Sequence, residues 1–301
     1  MIFDGVYGNS AIKNQLQNIL DCKKLSHAYI FCGGFGIGKT MMARMFADAL
    51  TGGSAADVIF LTNEYYNIKG KASLVVDAVR AAIVDIYTKP YLADRKVIIV
   101  PKAETMTTQA QNALLKVLEE PPSYCVIILV AQNEDMLLPT IRSRAVILRF
   151  SQLSDDEVKQ YLLDKYSFAD DMVVRLAGGS IAAADNLASS DETASLVREF
   201  AEIFSRFSEN DMTAVYEAIA VFEKEKDKSE LLLSVMCLML RDAMLNNAQK
   251  CDMPRIENIQ AGAAALIIES VENAGRAVRG SRNYNMVITE LLLETWRTIH
   301  G

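Results

Sequence analysis

The stretch Gly33-Gly34-Phe35-Gly36-Ile37-Gly38-Lys39-Thr40 constrains this chain more than any other. It fits G-x-x-x-x-G-K-[ST], the phosphate-binding P-loop pattern. The apolar run Ala28-Tyr29-Ile30-Phe31-Cys32 precedes it, and the helix-prone run Met41-Met42-Ala43-Arg44-Met45-Phe46-Ala47 follows it. Strand, glycine loop and helix in that order are the context the pattern needs. Glycines let backbone N–H groups curl around phosphate oxygens at a helix N-terminus. In that frame Lys39 sets its charge on the β- and γ-phosphates, and the Thr40 hydroxyl holds a Mg²⁺ brought by the nucleotide. The bland alternative is a glycine-rich turn that happens to carry Lys-Thr; the flanks favour the phosphate site.

A chain of 301 residues has room for two or three domains and a sizeable core. With 51% hydrophobic and 23% charged residues it reads as an ordinary soluble globular protein. The net charge of −7 disfavours a free-standing nucleic-acid binder, so any DNA contact is expected to be local or shared with partners. Cys22, Cys32, Cys125, Cys237 and Cys251 are scattered and none forms C-x-x-C, so neither zinc nor a disulfide framework is expected. Reduced thiols in a cytoplasmic protein are the simplest reading. Met1-Ile2-Phe3-Asp4-Gly5 lacks the basic-then-apolar layout of a secretory leader. The densest apolar run, Leu231 to Leu240, ends between Glu230 and Arg241, too short for a membrane span.

Hydrophobic spacing lays out the first 150 residues as alternating helices and strands. A helix is expected over 9–21, with Ile12, Leu16, Ile19 and Leu20 on one face. The segment Phe3 to Gly8 before it either lies over the base of a bound nucleotide or is a plain N-terminal arm. Strands are expected at Val58–Leu61, Val97–Val100, Cys125–Ala131 and Ala145–Phe150, with helices over 73–87, 107–119 and 134–141. Alternation of this kind means a parallel α/β sheet, five-stranded when Ala28–Cys32 is included. Beyond residue 150 the strands stop. Ser154-Asp155-Asp156-Glu157 is a capping box that opens a helix. Residues 151–190 read as a small domain of about three helices and 191–301 as a further helical domain. Leu231 to Leu240 is apolar all round, hence either deeply buried or a subunit contact. The charged run Glu223 to Lys228 reads as a solvated helix end or loop, and Asn285 to Ile299 as a last helix carrying Trp296.

A cradle for phosphate is not yet a hydrolase. P-loop hydrolysis needs Mg²⁺ held between Thr40 and an acid at the tip of a neighbouring strand, with a further group to orient water. The strand Val97–Val100 instead runs into Pro101-Lys102, then Ala103-Glu104. Proline has no carboxylate, and lysine puts a cation where a base belongs. Nucleotide binding without efficient turnover is the expectation; the opposing reading has Glu104 or Glu64 rescue catalysis. Arg144 follows Pro139-Thr140-Ile141-Arg142-Ser143 at a rim position. From spacing alone it is either a surface arginine or a group that reaches a neighbouring subunit's site.

Three stretches resemble the AAA+ subunits of the bacterial DNA polymerase III clamp loader: Ser26 to Phe31 running into the P-loop, Met106 to Pro122, and Leu137 to Arg144. Within the second, Gln111-Asn112-Ala113-Leu114-Leu115-Lys116…Leu118-Glu119-Glu120-Pro121-Pro122 is highly specific to these proteins. Leu176-Ala177-Gly178-Gly179-Ser180 resembles the family's second-domain motif, and the last helix only loosely its collar helix. The resemblance implies that Ser143-Arg144 is the Ser-Arg-Cys motif with Ala145 in place of cysteine, so that Arg144 is an arginine finger acting in trans. It places the missing strand-tip acids at Pro101 and Lys102, and the missing sensing arginine at Ile181-Ala182-Ala183. The family's polar sensor falls ambiguously near Ala131-Gln132-Asn133. Only Gly52 to Asp57 stands where many relatives carry a four-cysteine zinc module, so no zinc is expected.

These departures are most similar to the delta prime type, a stator beside the gamma/tau motors. The resemblance then implies an AAA+ domain at 1–150, a helical lid at 151–190 and a collar at 191–301. It implies ATP or ADP with Mg²⁺ in a structural role, held by Gly33, Gly34, Phe35, Gly36, Ile37, Gly38, Lys39 and Thr40. Implied partners are gamma/tau and delta subunits and, through the assembled ring, a sliding clamp and primed DNA, with no membrane. An active gamma/tau-like motor and an unrelated P-loop module remain the rival readings.

Overall fold

The computed structural model describes residues 2–22, 24–71, 73–209, 211–245, 254–257, 259–279 and 283–301. Cys251 lies outside them. The chain forms two compact units, one of residues 1–158 with 179–182, the other of 159–178 with 183–301.

The first unit opens with α1 (Ser10–Cys22), which buries Ile12 and Leu16. There follow β1 (Ala28–Cys32), α2 (Lys39–Thr51), β2 (Val58–Phe60), α3 (Val76–Tyr87), β3 (Lys96–Val100), α4 (Thr108–Glu119), β4 (Cys125–Ala131), the single turn α5 (Pro139–Arg142) and β5 (Val146–Arg149). The strands form one parallel five-stranded sheet in the order β2-β3-β4-β1-β5. Every residue of β1, β3 and β4 is buried, as strands covered on both faces require. Alternate side chains explain the two layers. Ile30, Ile98 and Ile127 join Ala78, Val79, Leu114 and Val117 of α3 and α4 in one cluster. Tyr29, from the opposite face of β1, meets Phe46 of α2 edge-on at 5.5 Å between ring centres. β1 sits between β4 and β5, so the chain leaving it emerges where the strand order reverses. In open α/β sheets that crevice is where ligands bind.

Beyond one-residue differences at element ends, two expected helices are broken or start late. The 134–141 helix is split into a 3₁₀ turn at Glu134–Met136 and α5, because Pro139 has no N–H to continue the first and instead starts the second. Residues 73–75 stay extended: Leu74 N–H donates to the Thr105 carbonyl at 3.2 Å and Thr107 N–H to that of Leu74 at 3.1 Å.

The helices that follow are α6 (Asp155–Tyr166), α7 (Asp171–Ala177), α8 (Ile181–Ala188), α9 (Asp191–Ser205), α10 (Met212–Lys224), α11 (Ser229–Leu245), α12 (Ala261–Arg279) and α13 (Tyr284–His300). The capping box forms as read: Glu157 N–H donates to Ser154 Oγ at 3.3 Å, and Ser154 N–H to Glu157 Oε2 at 2.9 Å. In the second unit α11 packs against α7, α9 and α12, which buries Leu232, Leu233, Val235, Met236, Met239 and Leu240. Leu231, Cys237 and Leu238 of that run are only half-buried. Phe200, Phe204, Phe207 and Phe222 form an aromatic cluster beneath α9 and α10. Among the described residues, no helix is long and apolar enough to cross a membrane.

Candidate functional site

The loop Gly33–Gly38 leaves β1 with Gly33 N–H donating to the Ala131 carbonyl of β4 at 3.2 Å. Two of its glycines are sterically required. Gly33 has φ 152°, and a Cβ built there would lie 2.5 Å from the Phe150 carbonyl oxygen. Gly36 has φ 74°, and a Cβ there would lie 2.2 Å from Ser180 Oγ and 2.7 Å from Ala182 Cβ. Ala182 N–H donates to the Gly36 carbonyl at 3.2 Å. Gly38, left-handed at φ 88°, turns the chain into α2, so the first amides of the helix open toward the loop.

Lys39 is the first residue of α2 and only 7% exposed. Its ammonium donates to the carbonyls of Gly33, at 2.7 Å, and Gly34. Burial pulls its pKa down, and the nearby negative charge of Glu104 opposes that shift. Thr40 and Phe35 are exposed, and Ile37 is fully buried under the loop. Bare-backbone glycines, a helix N-terminus, a lysine and an exposed threonine hydroxyl together fit a nucleotide's phosphates with a metal ion on them. Among the described residues no group of three or more His, Cys, Asp and Glu side chains is placed to hold a metal by itself. Residues 3–8 flank this loop. Phe3 and Val6 are buried, and Val6 Cγ1 lies 3.3 Å from where a Cβ on Gly38 would be. Lys13 ties the segment down by donating to the Val6 carbonyl.

The tip of β3 lies beside β4 in the same sheet and carries Pro101 and Lys102. Lys102 is exposed and left-handed, with φ 50°, and starts the 3₁₀ turn Ala103–Thr105. Glu104 therefore belongs to that turn and not to α4. One of its carboxylate oxygens, Oε2, is buried without a hydrogen-bond partner. Glu64 is exposed in the turn after β2. Asn133, near which the polar sensor was sought, accepts from Asp135 N–H at 2.9 Å and caps the 134–136 turn. Ala182, in the stretch where a sensing arginine was sought, packs against Gly36.

Arg144 lies between α5 and β5, with its side chain 36% exposed. It donates to the Thr140 carbonyl at 3.0 Å and pairs with Glu119, at the end of α4, at 2.9 Å. The structure thus joins the Leu137–Arg144 stretch to the Leu118-Glu119-Glu120 stretch through one ion pair, while Arg144 stands apart from the Gly33–Thr40 loop of its own chain. Gln111, in the same specific run, braces this rim: it donates to the Met136 carbonyl at 3.2 Å and accepts from Leu138 N–H at 2.8 Å.

Sequence reading missed Asn63, and it named Ser180 and Ala182 only through the resemblance, not as neighbours of Gly36. Buried Asn63 spans the β2–α3 connection, donating to Lys71 and Ser73 carbonyls at 3.1 and 2.8 Å and accepting from Val75 N–H at 3.2 Å. A buried asparagine in a polar loop carries no distinguishing pattern. The glycine pair Gly178-Gly179 was the only hint of the approach by Ser180 and Ala182.

The family model described as DNA polymerase III, delta subunit matches residues 8–154. The DNA polymerase III tau subunit of Bacillus subtilis is 32% identical over 176 residues, 52% of this chain and 30% of that protein. The tau/gamma subunit of Haemophilus influenzae is 30% identical over 193 residues, 58% of this chain and 28% of that protein. The chain thus spans less than a third of the length of these two relatives. Among solved structures, a DNA polymerase III gamma subunit-related protein of Thermotoga maritima aligns with a TM-score of 0.54 at 19% identity, covering 94% of this chain and 99% of that one. The Holliday junction branch migration motor RuvB of the same organism aligns at 0.52 and 15% identity, covering 99% and 88%. Both show the fold. The sheet order, the match over residues 8–154 and these relatives together support a resemblance of the first half of the chain to the AAA+ clamp-loader subunits of DNA polymerase III.

Proposed function

We propose that the chain is a delta prime-like stator of a DNA polymerase III clamp loader, which binds ATP or ADP with Mg²⁺ at Gly33–Thr40 and turns it over little or not at all. The observation that carries this reading is the tip of β3, where Pro101 and left-handed Lys102 stand in place of acids. Lys39 and the loop amides would hold phosphates and Thr40 the metal. Bound nucleotide would supply the phosphate and metal charges. It would stabilise the chain conformation that binds it, by mass action. Residues 3–8, with Val6 beside Gly38, would border the base.

Arg144 is proposed as an arginine finger for an adjacent ATPase subunit. Its ion pair with Glu119 is between groups 36% and 53% exposed, so the guanidinium leaves it at a cost of no more than about 1 kcal/mol. The partners are then gamma/tau and delta subunits, and the ring loads a sliding clamp onto primed DNA in the cytoplasm. We further propose the division into an AAA+ domain at 1–150, a lid at 151–190 and a collar at 191–301. A gamma/tau-like motor is the second reading, favoured by the proximity of the Glu104 charge to Lys39.

DNA- and clamp-stimulated ATPase of the reconstituted complex tests the proposal. Arg144→Ala in this chain alone should lower turnover by about a thousandfold at the neighbouring site, the scale of a lost finger, while Lys39→Ala changes it little. A large loss with Lys39→Ala in an intact assembly would favour the motor reading, and no effect of Arg144→Ala would remove the finger.

A further inference from the structure

We infer that Glu104 makes nucleotide binding at the Gly33–Thr40 loop depend on a divalent cation, as the acid that the tip of β3 lacks. The inference rests on the nucleotide-binding reading above. Glu104 Oε2 is buried and accepts no hydrogen bond. Buried carboxylate oxygens almost always have a donor, and one without a donor is costly. Nor is the side chain on a loose loop. Left-handed Lys102 turns the chain back, the Thr105 hydroxyl donates to the Lys102 carbonyl at 2.8 Å, and Leu74 pairs with Thr105 and Thr107 on the other side. An acid with one orphaned oxygen thus acts on the charge of Lys39, whose own hydrogen bonds go to the carbonyls of Gly33 and Gly34.

Such a carboxylate acts on an arriving polyphosphate in two opposite ways. Alone, it repels the phosphates that Lys39 attracts. With a hydrated Mg²⁺ on those phosphates, a metal-bound water finds in Oε2 the acceptor it needs, and the repulsion becomes attraction. Glu104 is a positioning residue in this scheme; no bond is made or broken by it. If it were only a counter-charge for Lys39, it would weaken phosphate binding both with and without metal, less so where the metal has already cancelled part of the phosphate charge.

The test is an equilibrium titration of the full-length chain with fluorescent ADP and ATP analogues, each in excess Mg²⁺ and in EDTA. Wild type should bind more tightly in Mg²⁺. Glu104→Gln should shrink that metal-dependent gain by about tenfold or more, the scale of a lost outer-shell ligand, through tighter binding in EDTA and weaker binding in Mg²⁺. An unchanged gain overturns the inference, as does tighter binding by the variant in both buffers. Should Glu104→Gln fail to fold by circular dichroism, Glu104→Asp decides: it keeps the charge but draws back the oxygens, and an undiminished gain overturns the inference. If wild type binds neither analogue in either buffer, the nucleotide reading fails and takes this one with it. If wild type binds but the variant keeps the full gain, only the role of Glu104 falls.

Discussion

Asp57 is fully buried at the start of β2, and its carboxylate accepts the backbone N–H groups of Tyr91, Leu92 and Ala93 at 2.6, 3.0 and 2.9 Å. Ser54 Oγ donates to it at 2.8 Å. Burial alone would raise its pKa; the three amides and the hydroxyl outweigh that and bring it from the ordinary 3.8 to about 2. A depressed carboxylate stabilises the fold above its unfolded pKa, and the contribution is lost as pH falls through the folded value. Asp57 should therefore contribute roughly 2 kcal/mol above pH ~4, lost between pH ~4 and ~2. Asp57→Asn should lower the urea midpoint at pH 7 by an equivalent amount and flatten the acid limb of the stability curve. An unaltered acid limb would mean that other carboxylates set it. No sequence pattern announces this residue, because its three amide partners lie 34 to 36 positions away. Glu104 was visible only as a displaced acid; its orphaned oxygen depends on the left-handed turn at Lys102, an unusual backbone for lysine. Gly33, Gly36 and Gly38 of the loop, by contrast, were legible, since their positive φ is what glycine permits.

Elements were legible in proportion to how local their causes are. β1 and β4 run from the first to the last residue of their apolar stretches, because a strand buried on both faces has no polar position inside it. The 134–141 helix was misjudged because apolar spacing outweighed Pro139, whose missing N–H divides the segment. The start of α3 was placed early, because residues 73–75 pair with the segment after β3, a contact no local pattern records. For α4 the end signals are local and strong. Thr107 caps it by accepting from Ala110 N–H at 3.2 Å, and Pro121-Pro122 follow its last turn. Thr107→Ala should destabilise the first unit by about 1 kcal/mol in urea denaturation, while Thr107→Asp or Thr107→Ser should cost far less. Loss of the same size in all three would mean that the threonine methyl, not the cap, matters.

For the whole molecule, the acidic balance and the helical second half were readable from composition and period. The route of the chain was not. It leaves the first unit after residue 158, comes back for 179–182, and leaves again. That returning stretch packs on Gly36, which permits a paired test. Gly36 and Gly52 are both left-handed, at φ 74° and 62°, but a Cβ on Gly52 meets nothing within 4 Å. Gly52→Ala should cost about 1 kcal/mol for backbone conformation alone. Gly36→Ala should cost a further 1–3 kcal/mol or so for overpacking against Ser180 and Ala182. Equal costs for the two, by urea denaturation, would mean that residues 179–182 yield freely.

The route has a consequence for how a change at the loop spreads. The chain crosses between the two units three times, after residues 158, 178 and 182. The short returning segment is held on the first unit by the hydrogen bond from Ala182 to Gly36. A displacement of Gly36 is therefore felt first by the stretch that joins α7 to α8.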